Sequence, residues 1–418
     1  MLAMKIRLIY PWLISGVCCC CLFGAAAKAQ SSTAFETVRR MEPAGGKSTA
    51  SAESVEAFDI SPDGSLVAVL FQSKSFQDSW VRILIEKVAT GQVLMDLKLP
   101  TGTRPDRWNL PPWYVPHVRF SADQKFLAIQ DWQNVRVVDL SNFQIVRTLA
   151  SKNSELKVPF SILAAGKNDL FLISYGKSGS SMIRGYNDLM NPRVRNELVD
   201  LATGQIQSTW ESTDIPQSLS PDGELAAISD WEPSNTLVEV GIVDTRTGRK
   251  VRTLQSGYKF RKPWEKTQTG RVIGKFLNVD EILLSPDEHI DRTGHHSGEA
   301  LEVVRVSDGQ LMRKIRPEDF GPLGDVVTSA SHDCFAILNW HISPGILKRD
   351  LAPPEGSRPE LVIFPDAEGN RSYTISNLSL DGLATNEYLG STYSPRISNN
   401  ASVVAIVQDG GVTVFRLR

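Results

Sequence analysis

The sequence predicts an all-β protein in which seven four-stranded antiparallel units form a closed ring. A turn motif returns along the chain at intervals of 44 to 67 residues, and a second turn follows it in most units. The last unit lacks its fourth strand, while a strand-like segment near the start of the chain has no partner. Together these observations predict a repeat architecture closed by its own two ends.

The first landmark is a nine-residue motif that begins with a serine. Its first copy reads Ser61-Pro62-Asp63-Gly64-Ser65-Leu66-Val67-Ala68-Val69, and copies that begin at Ser121, Ser220 and Ser398 align with it without a gap. We place weaker copies at Ala165, Asn278 and Ser331. Asp and Gly between apolar runs are typical of a hairpin turn, because Gly accepts a positive φ and Asp hydrogen-bonds the local backbone.

The second landmark is an alternating strand followed by a Thr-Gly-like turn. Thr90-Gly91, Thr203-Gly204 and Thr247-Gly248 are its clearest examples. Each unit is therefore predicted to contain two hairpins, with four strands a, b, c and d in chain order.

Ring closure is predicted from the two ends of the chain. The seventh unit stops at Arg418 after three strands, and residues 34–41 mix apolar and polar side chains in a strand-like segment. We expect residues 34–41 to be strand d of the last unit.

The Ser-Pro-Asp-Gly and Thr-Gly pattern resembles the WD40-like, TolB-like and YVTN-type β-propellers over residues 30–418. The resemblance implies a single seven-bladed β-propeller of four-stranded antiparallel blades, its last blade closed by the N-terminal strand. The Trp-Asp dipeptide of strict WD40 blades is absent, so the resemblance does not extend to that subfamily.

The first 29 residues read as a signal peptide. Lys5 and Arg7 precede an apolar stretch over residues 8–24, and small residues precede a cleavage site before Gln30. An uncleaved anchor is the alternative, because the apolar stretch reaches the lower limit for a spanning helix. Cleavage predicts an exported protein, periplasmic or secreted, without a membrane span.

Composition and charge exclude several function classes. Of the 418 residues, 41% are hydrophobic and 22% are charged, which is typical of a folded globular protein. Without residues 1–29 the chain has 42 basic and 47 acidic side chains, and this balance disfavours nucleic-acid binding.

Cys334 is then the one cysteine left, so no intramolecular disulfide can form, and we interpret it as a small buried hydrophobic residue. A closed ring hides its sheet edges, so we expect a monomer.

Loop lengths predict the binding face. The a–b and c–d turns are short and open on one face, whereas several b–c and d–a connections are long and open on the other, which we call the long-loop face. Aromatic and arginine side chains are favoured interface anchors. The predicted binding residues are Arg104, Arg107, Trp108, Trp113, Tyr114, Trp132, Trp231, Tyr258, Arg261, Lys262, Trp264 and Trp340.

Two further patterns have more than one interpretation. Asp131-Trp132, Asp230-Trp231 and Asn339-Trp340 hold equivalent places after strand b, where the carboxylate could hydrogen-bond the next loop or join a rim at the channel mouth. His289, His295 and His296 share one acidic, Gly-containing loop, but their spacing does not fit a zinc motif. We expect no metal and no cofactor.

The function predicted from the sequence is an exported, noncatalytic scaffold that binds a protein or peptide partner on the long-loop face. Propellers host many functions, so two alternatives stay open. One is an enzyme with its active site at the channel mouth, similar to propeller lactonases or quinoprotein-type dehydrogenases. The other is a glycan or small-ligand binding protein.

Overall fold

The computed structural model describes fifteen ranges and one further residue, and the account below concerns these residues. They are 29–30, 34–44, 53–73, 80–100, 116–131, 133–153, 155–166, 169–177, 193–229, 239–257, 271–287, 300–315, 323–341, 358–376, 378 and 394–418.

The described residues form seven sheets, each built on four antiparallel strands in the order a to d, and β1 (Ala29–Gln30) adds a fifth, parallel strand to one of them. The strands, numbered in chain order, begin with β1 (Ala29–Gln30) and β2 (Phe35–Met41). Blade 1 contains β3 (Glu53–Ile60), β4 (Leu66–Ser73), β5 (Trp80–Lys87) and β6 (Val93–Pro100). Blade 2 contains β7 (Val118–Phe120), β8 (Phe126–Gln130), β9 (Val135–Asp139) and β10 (Gln144–Leu149). Blade 3 contains β11 (Leu156–Ala164), β12 (Leu170–Lys177), β13 (Val194–Asp200) and β14 (Ile206–Ser212).

The remaining strands form blades 4 to 7. Blade 4 contains β15 (Pro216–Leu219), β16 (Leu225–Ser229), β17 (Glu239–Asp244) and β18 (Lys250–Gln255). Blade 5 contains β19 (Arg271–Phe276), β20 (Glu281–Asp287), β21 (Leu301–Arg305) and β22 (Leu311–Ile315). Blade 6 contains β23 (Leu323–Thr328), β24 (Phe335–His341), β25 (Arg358–Phe364) and β26 (Ser372–Ile375). Blade 7 contains β27 (Arg396–Ile397), β28 (Val403–Gln408), β29 (Gly411–Leu417) and β2.

The first strands of the blades form the innermost layer of a closed ring. Each first strand contacts the first strand of the next blade, and β27 of blade 7 contacts β3 of blade 1. The fold is therefore a seven-bladed β-propeller, and the predicted fold class is confirmed.

The serine motif folds as a hydrogen-bonded a–b turn. Ser61 Oγ donates to Asp63 Oδ1 at 2.7 Å and accepts the Leu66 N–H at 2.8 Å, while Gly64 has a φ of +74°. Ser121, Ser220 and Ser398 make the same pair of contacts in blades 2, 4 and 7. The motif recurs because one buried serine hydroxyl makes two hydrogen bonds: it donates to the Asp or Asn side chain of the turn and accepts the first N–H of strand b.

Two of the weaker copies begin earlier than the sequence predicted. The Ser329 N–H donates to Cys334 O and His332 N–H donates to Ser329 O, which is the pattern of Ser61 and Gly64. Ser329, not Ser331, therefore starts the blade 6 turn, and His332 takes the positive φ. In blade 5 Leu277 takes this place and the turn is one residue shorter, so Asn278 was wrong by one position. A polar residue inside the turn had been mistaken for its first residue.

The hydrophobic core is divided into one cluster for each interface between neighbouring blades. The blade 1 and 2 interface, for example, buries Leu70, Ile83, Phe120 and Ile129. Equivalent clusters fill the other six interfaces. The faces of the sheets are thus covered all round the ring, including the interfaces on both sides of blade 7.

The two ends of the chain complete blade 7 as predicted. Strand β2 pairs antiparallel with β29 from Phe35 to Met41, and the Arg418 N–H donates to Ala34 O at 2.8 Å. Phe35 packs into the core shared with blade 6, and Met41 into the core shared with blade 1. Strand β1 lies parallel to β26 at the outer edge of blade 6. Cleavage before Gln30 would fall within β1, and the predicted signal peptide stays a prediction.

Candidate functional site

The predicted binding residues of the long-loop face lie almost entirely outside the described residues. Trp340 lies in β24, where its backbone pairs with that of Pro359. The others lie outside: Arg104, Arg107, Trp108, Trp113, Tyr114, Trp132, Trp231, Tyr258, Arg261, Lys262 and Trp264. His289, His295 and His296 lie outside as well. These residues stay predictions.

The strand ends from which the long connections leave are described. Strands β6, β12, β18, β20 and β24 are followed by connections over residues 101–117, 178–193, 256–270, 288–300 and 342–357. All of these are b–c or d–a connections, and successive antiparallel strands place those on the same face. The a–b and c–d connections on the other face are short, such as residues 61–65 and 88–92.

Asp131 illustrates the structural role of the acidic residue after strand b. Its Oδ1 accepts the N–H groups of Gln133 and Asn134 at 2.9 and 2.8 Å, and its Oδ2 accepts Arg136 Nε at 2.8 Å. This carboxylate therefore hydrogen-bonds the b–c connection, which was one of the two interpretations of the repeated Asp-Trp pair.

The open edges of the innermost strands are covered by polar side chains from neighbouring blades. An innermost strand pairs on one side only, so its other edge presents backbone groups that need partners. Asp59 Oδ2 accepts the Phe120 N–H at 2.9 Å, Gln130 Nε2 donates to Pro159 O at 2.9 Å, and Ser218 Oγ donates to Gly274 O at 2.8 Å. These contacts link blade 1 to blade 2, blade 2 to blade 3 and blade 4 to blade 5.

Charged residues hold equivalent positions on several of these innermost strands. Two residues before the first residue of each a–b turn, the seven blades carry Asp59, Arg119, Leu163, Ser218, Lys275, Val327 and Arg396. His117 immediately precedes β7, and its Nδ1 lies 3.4 Å from the Arg119 guanidinium. We call Asp59, His117, Arg119, Lys275 and Arg396 the charged cluster.

The members of the charged cluster have both ionic and neutral partners. Arg396 Nε lies 3.7 Å from Asp59 Oδ1, and its guanidinium also donates to Pro395 O at 2.9 Å. Arg119 donates to Val118 O at 2.8 Å and lies 3.4 Å from His117 Nδ1. Lys275 Nζ donates to Gln217 O at 2.8 Å.

Burial and charge together shift the titration of this cluster. Burial, followed by the positive charges of Arg119, Arg396 and Lys275, holds the pKa of His117 well below its usual value. Burial raises the pKa of Asp59, although the charges of Arg119 and Arg396 oppose this. Burial also lowers the pKa of Arg119. His117 is therefore a neutral imidazole at neutral pH, placed among cations.

Charges from three blades reach the same imidazole. His117 and Arg119 belong to blade 2, Arg396 to blade 7 and Lys275 to blade 5, on the far side of the ring. These residues all lie on or next to the innermost strands, which surround the channel. The neutral imidazole of His117 is the group of this cluster that can accept a proton.

The cysteine of the mature chain, which could in principle be reactive, is packed in the core. Cys334 is fully buried, its Sγ lies 3.2 Å from Ser398 O, and burial raises its pKa to about 11, so its interpretation as a buried hydrophobic residue is confirmed. Within the described ranges, no three His, Cys, Asp or Glu side chains gather as a metal would require. Among the same residues there is no helix with the length and apolar character needed to cross a membrane.

The charged cluster was not predicted from the sequence. Its signal was present, because Asp59, Arg119 and Arg396 stand at the same distance before three of the strict serine motifs. The motif was defined from its serine onward into strand b, so the residues before the serine, in strand a, were not compared.

Comparison with known proteins supports the fold. No protein-family model matches the chain, and no curated protein matches it in sequence. An oligogalacturonate lyase in complex with manganese is similar in structure, with a TM-score of 0.55 and 12% identity over 94% of this chain and 98% of that one. A chain of the mitotic checkpoint complex has a TM-score of 0.49, 11% identity and coverages of 100% and 99%. Hydrazine synthase of Kuenenia stuttgartiensis has a TM-score of 0.49, 14% identity and coverages of 89% and 98%. At 12% identity the likeness to the oligogalacturonate lyase concerns the fold alone.

Proposed function

We propose that this propeller is an exported, noncatalytic scaffold that binds a protein or peptide partner on its long-loop face. The observation that carries the proposal is the unequal length of the connections on the two faces. The long connections leave from the b and d strands on one face, and they contain most of the aromatic and arginine residues predicted to bind. Long loops on a rigid scaffold are where binding residues concentrate.

The hydrogen bonding of the opposite face supports the same choice. The a–b turns use their serine, aspartate and asparagine side chains for their own backbones, as in Ser61 and Asp63. Neighbouring turns also bond each other, since the Asn399 N–H donates to Pro62 O and Asn399 Oδ1 accepts the Ser331 N–H. Polar groups used in this way stabilise the ring and are not available to a partner.

The second candidate function is an enzyme or small-ligand binder that uses the channel. The observation that favours it is the charged cluster, in which His117, Arg119 and Asp59 have shifted pKa values. These groups are also bonded to backbone atoms of the ring, which a structural role explains equally well. The scaffold therefore remains the first candidate.

The scaffold proposal is tested by partner capture with the exported chain. The test uses two variants of the long-loop face, W108A/W113A/W264A and R104A/R107A/R261A, expressed with the native signal. The matched control is R246A/R371A, because Arg246 and Arg371 are exposed cations of the short-turn face. We expect the unaltered chain and the control to retain one protein from the envelope or secreted fraction, and both loop variants to lose it.

Rebinding with the purified partner then decides the outcome. Loss of at least tenfold in affinity in the loop variants alone supports the proposal. Equal affinity in all variants, or specific capture of no protein, overturns it. N-terminal sequencing of the exported protein tests the signal, with Gln30 expected as the first residue.

A further inference from the structure

The a–b turns of blades 3 and 6 depart from the serine motif at different positions. In blade 3 the Ala165 N–H donates to Leu170 O, as the first N–H of the motif does in blade 1. Gly166 therefore takes the place of Pro62. In blade 6 His332 takes the place of the motif glycine and has a φ of +65°. A left-handed backbone favours glycine, so a histidine there costs stability unless its side chain gains contacts elsewhere.

The side chain of His332 gains its contacts in two other blades. Only 5% of its surface is exposed. Its Nδ1 donates to the carbonyl oxygen of Phe276, the last residue of β19 in blade 5, at 2.6 Å. Its Cδ2 lies against the blade 3 turn, so close that a Cβ atom on Gly166 would be 3.1 Å away. One imidazole thus joins the turn of blade 6 to blades 5 and 3.

Gly166 permits a close approach of backbone to backbone. A Cβ atom at this position would lie 2.7 Å from Ala330 O of blade 6 and 3.1 Å from Pro221 Cα of blade 4. The first distance is shorter than non-bonded atoms tolerate, so a residue other than glycine would push the two turns apart. Proline or alanine holds the same place in the turns of blades 1, 2, 4 and 6. The departure of blade 3 from the motif is therefore matched to its contact with blade 6.

The contact between blades 3 and 6 crosses the channel. Two blades lie between them along one arc of the ring and three along the other. The blade 6 turn is also joined to its neighbour, because the Ser331 N–H donates to Asn399 Oδ1 of blade 7 at 2.9 Å. The Asn399 N–H donates in turn to Pro62 O of blade 1 at 2.8 Å. Contacts between blades 1, 3, 4, 5, 6 and 7 thus meet on the short-turn face, at the end of the channel.

We infer that the a–b turns of blades 3, 4 and 6 close the channel at the short-turn face, so that the channel opens on the long-loop face alone. His332 and Gly166 are the residues that make this closure. Any group that binds inside the channel therefore enters and leaves through a single mouth. The inference rests on contacts between turns, so it is independent of the proposed protein partner.

A thiol on the channel wall tests the closure. Val327 is half-buried in β23, the innermost strand of blade 6, and it lies two residues before the first residue of the turn. The reporter is the full exported chain with Val327→Cys and Cys334→Ala, labelled with N-ethylmaleimide and read by mass spectrometry of the peptide that contains residue 327. The two test variants add H332G or G166A. The matched control adds Q124G, because Gln124 has the same left-handed place in the blade 2 turn, with a φ of +62°.

We expect H332G to label about fivefold or more faster than the reporter, because loss of the imidazole lets the reagent pass between the turns. The Q124G control should label at the rate of the reporter. G166A should also label faster, and its melting temperature should fall, because its Cβ atom forces the blade 3 and blade 6 turns apart. The melting temperature of every variant is measured, so that faster labelling by unfolding is recognised.

Equal labelling rates in the reporter, H332G and Q124G overturn the inference, since His332 is then no part of a barrier. An equal acceleration in H332G and Q124G overturns it too, because any loosened turn would then admit the reagent. G166A with the melting temperature of the reporter would contradict the contact between blades 3 and 6. If G166A fails to fold, H332G decides.

Discussion

Blade 7 and blades 1 to 6 have the same four-stranded design but are assembled in different ways. Each of blades 1 to 6 takes its strands a to d from one continuous stretch of chain, and short turns connect c to d. Blade 7 takes three strands from the C-terminal end and its outermost strand, β2, from the N-terminal end. No turn connects β29 directly to β2. In blade 1, by contrast, the turn over residues 88–92, which contains Thr90 and Gly91, connects β5 to β6.

The two assemblies differ in how side chains of the outermost strand are held in the core. In blade 4 the outer strand β18 is largely exposed and contributes Leu254 to the core. In blade 7 the outer strand contributes Phe35 to one interface and Met41 to the other. The strand that lacks a covalent turn is thus held by side chains at both of its ends, and it connects blades 6 and 1 through blade 7.

The largest expected effect comes from removing the noncovalent strand. Deletion of residues 34–41 opens the edge of β29 and exposes both interfaces of blade 7, so we expect a fall in melting temperature of more than 10 °C or loss of the folded protein. Circular dichroism melting of the full chain and the deletion measures this. The matched control replaces the same residues with a scrambled sequence of equal composition. An unchanged melting temperature in the deletion would contradict closure by β2.

Single core substitutions compare the two kinds of outer strand directly. Met41 in β2 and Leu254 in β18 are both buried, with 2% and 0% of their surfaces exposed. Replacing either with Ala should cost about 2–5 kcal/mol of unfolding free energy. We expect M41A and L254A to differ by less than about 1 kcal/mol in urea unfolding. A much smaller loss for M41A would mean that the noncovalent strand is already detached in solution.

Substitution of the serines that begin the a–b turns tests whether this turn is equally stabilising in blade 7 and in blade 1. Ser61 and Ser398 are both fully buried, and each accepts the first N–H of strand b while donating to a side chain. Ala at either position leaves that buried N–H without its partner, at a cost of about 1–3 kcal/mol. We expect S61A to cost more than S398A, because Ser61 donates to the charged Asp63 and Ser398 to the neutral Asn400. Denaturant unfolding of the two variants checks the order.

The smallest expected effect concerns how neighbouring turns meet. Between blades 6 and 7 the contact uses the amide of Asn399, whereas between blades 2 and 3 two carboxyl groups, Asp123 and Asp169, influence each other's pKa. Burial, then the hydrogen bond with Asp123 and its negative charge, raises the pKa of Asp169 to about 6. Lys125 and Asp200 are the other charged groups that act on it.

Because the pKa of Asp169 is raised, its contact with Asp123 stabilises the fold more at low pH than at high pH. The stabilisation given by the protonated carboxyl is fully present below the unfolded pKa of Asp169 and is lost as the pH rises through about 6. Asp169→Asn keeps a donor at every pH, so its melting temperature relative to the unaltered chain should be about 1–2 °C higher at pH 7.5 than at pH 5. Glu224→Gln removes an exposed carboxylate and serves as the control, with a difference independent of pH. The same difference for D169N at both pH values would contradict the shared proton.

The sequence predicted those parts of the fold that depend on local chemistry. The Ser-Asp-Gly turn is recognisable because Ser61, Asp63 and Gly64 bond within five residues of chain, and β2 is recognisable because the last unit lacks a fourth strand. Ser329 was missed because Ser331 and His332 replace the usual Asp and Gly of the motif. The charged cluster was missed because Arg119, Lys275 and Arg396 belong to three different blades and take equivalent places only once the blades are aligned in the ring. The long-loop residues were chosen by type and loop length, and these properties do not determine where their side chains lie.

The pairing of β2 with β29 also sets the order of events during synthesis. The Arg418 and Glu36 side chains, which meet at 3.1 Å, are 382 residues apart in the chain. The first blade strand to be made is therefore the last to find its partner, and the circle cannot close until β29 has been synthesised. Until then β2 has an unsatisfied edge and two exposed anchors, Phe35 and Met41. A nascent chain that does not yet contain β29 is therefore an open arc of blades.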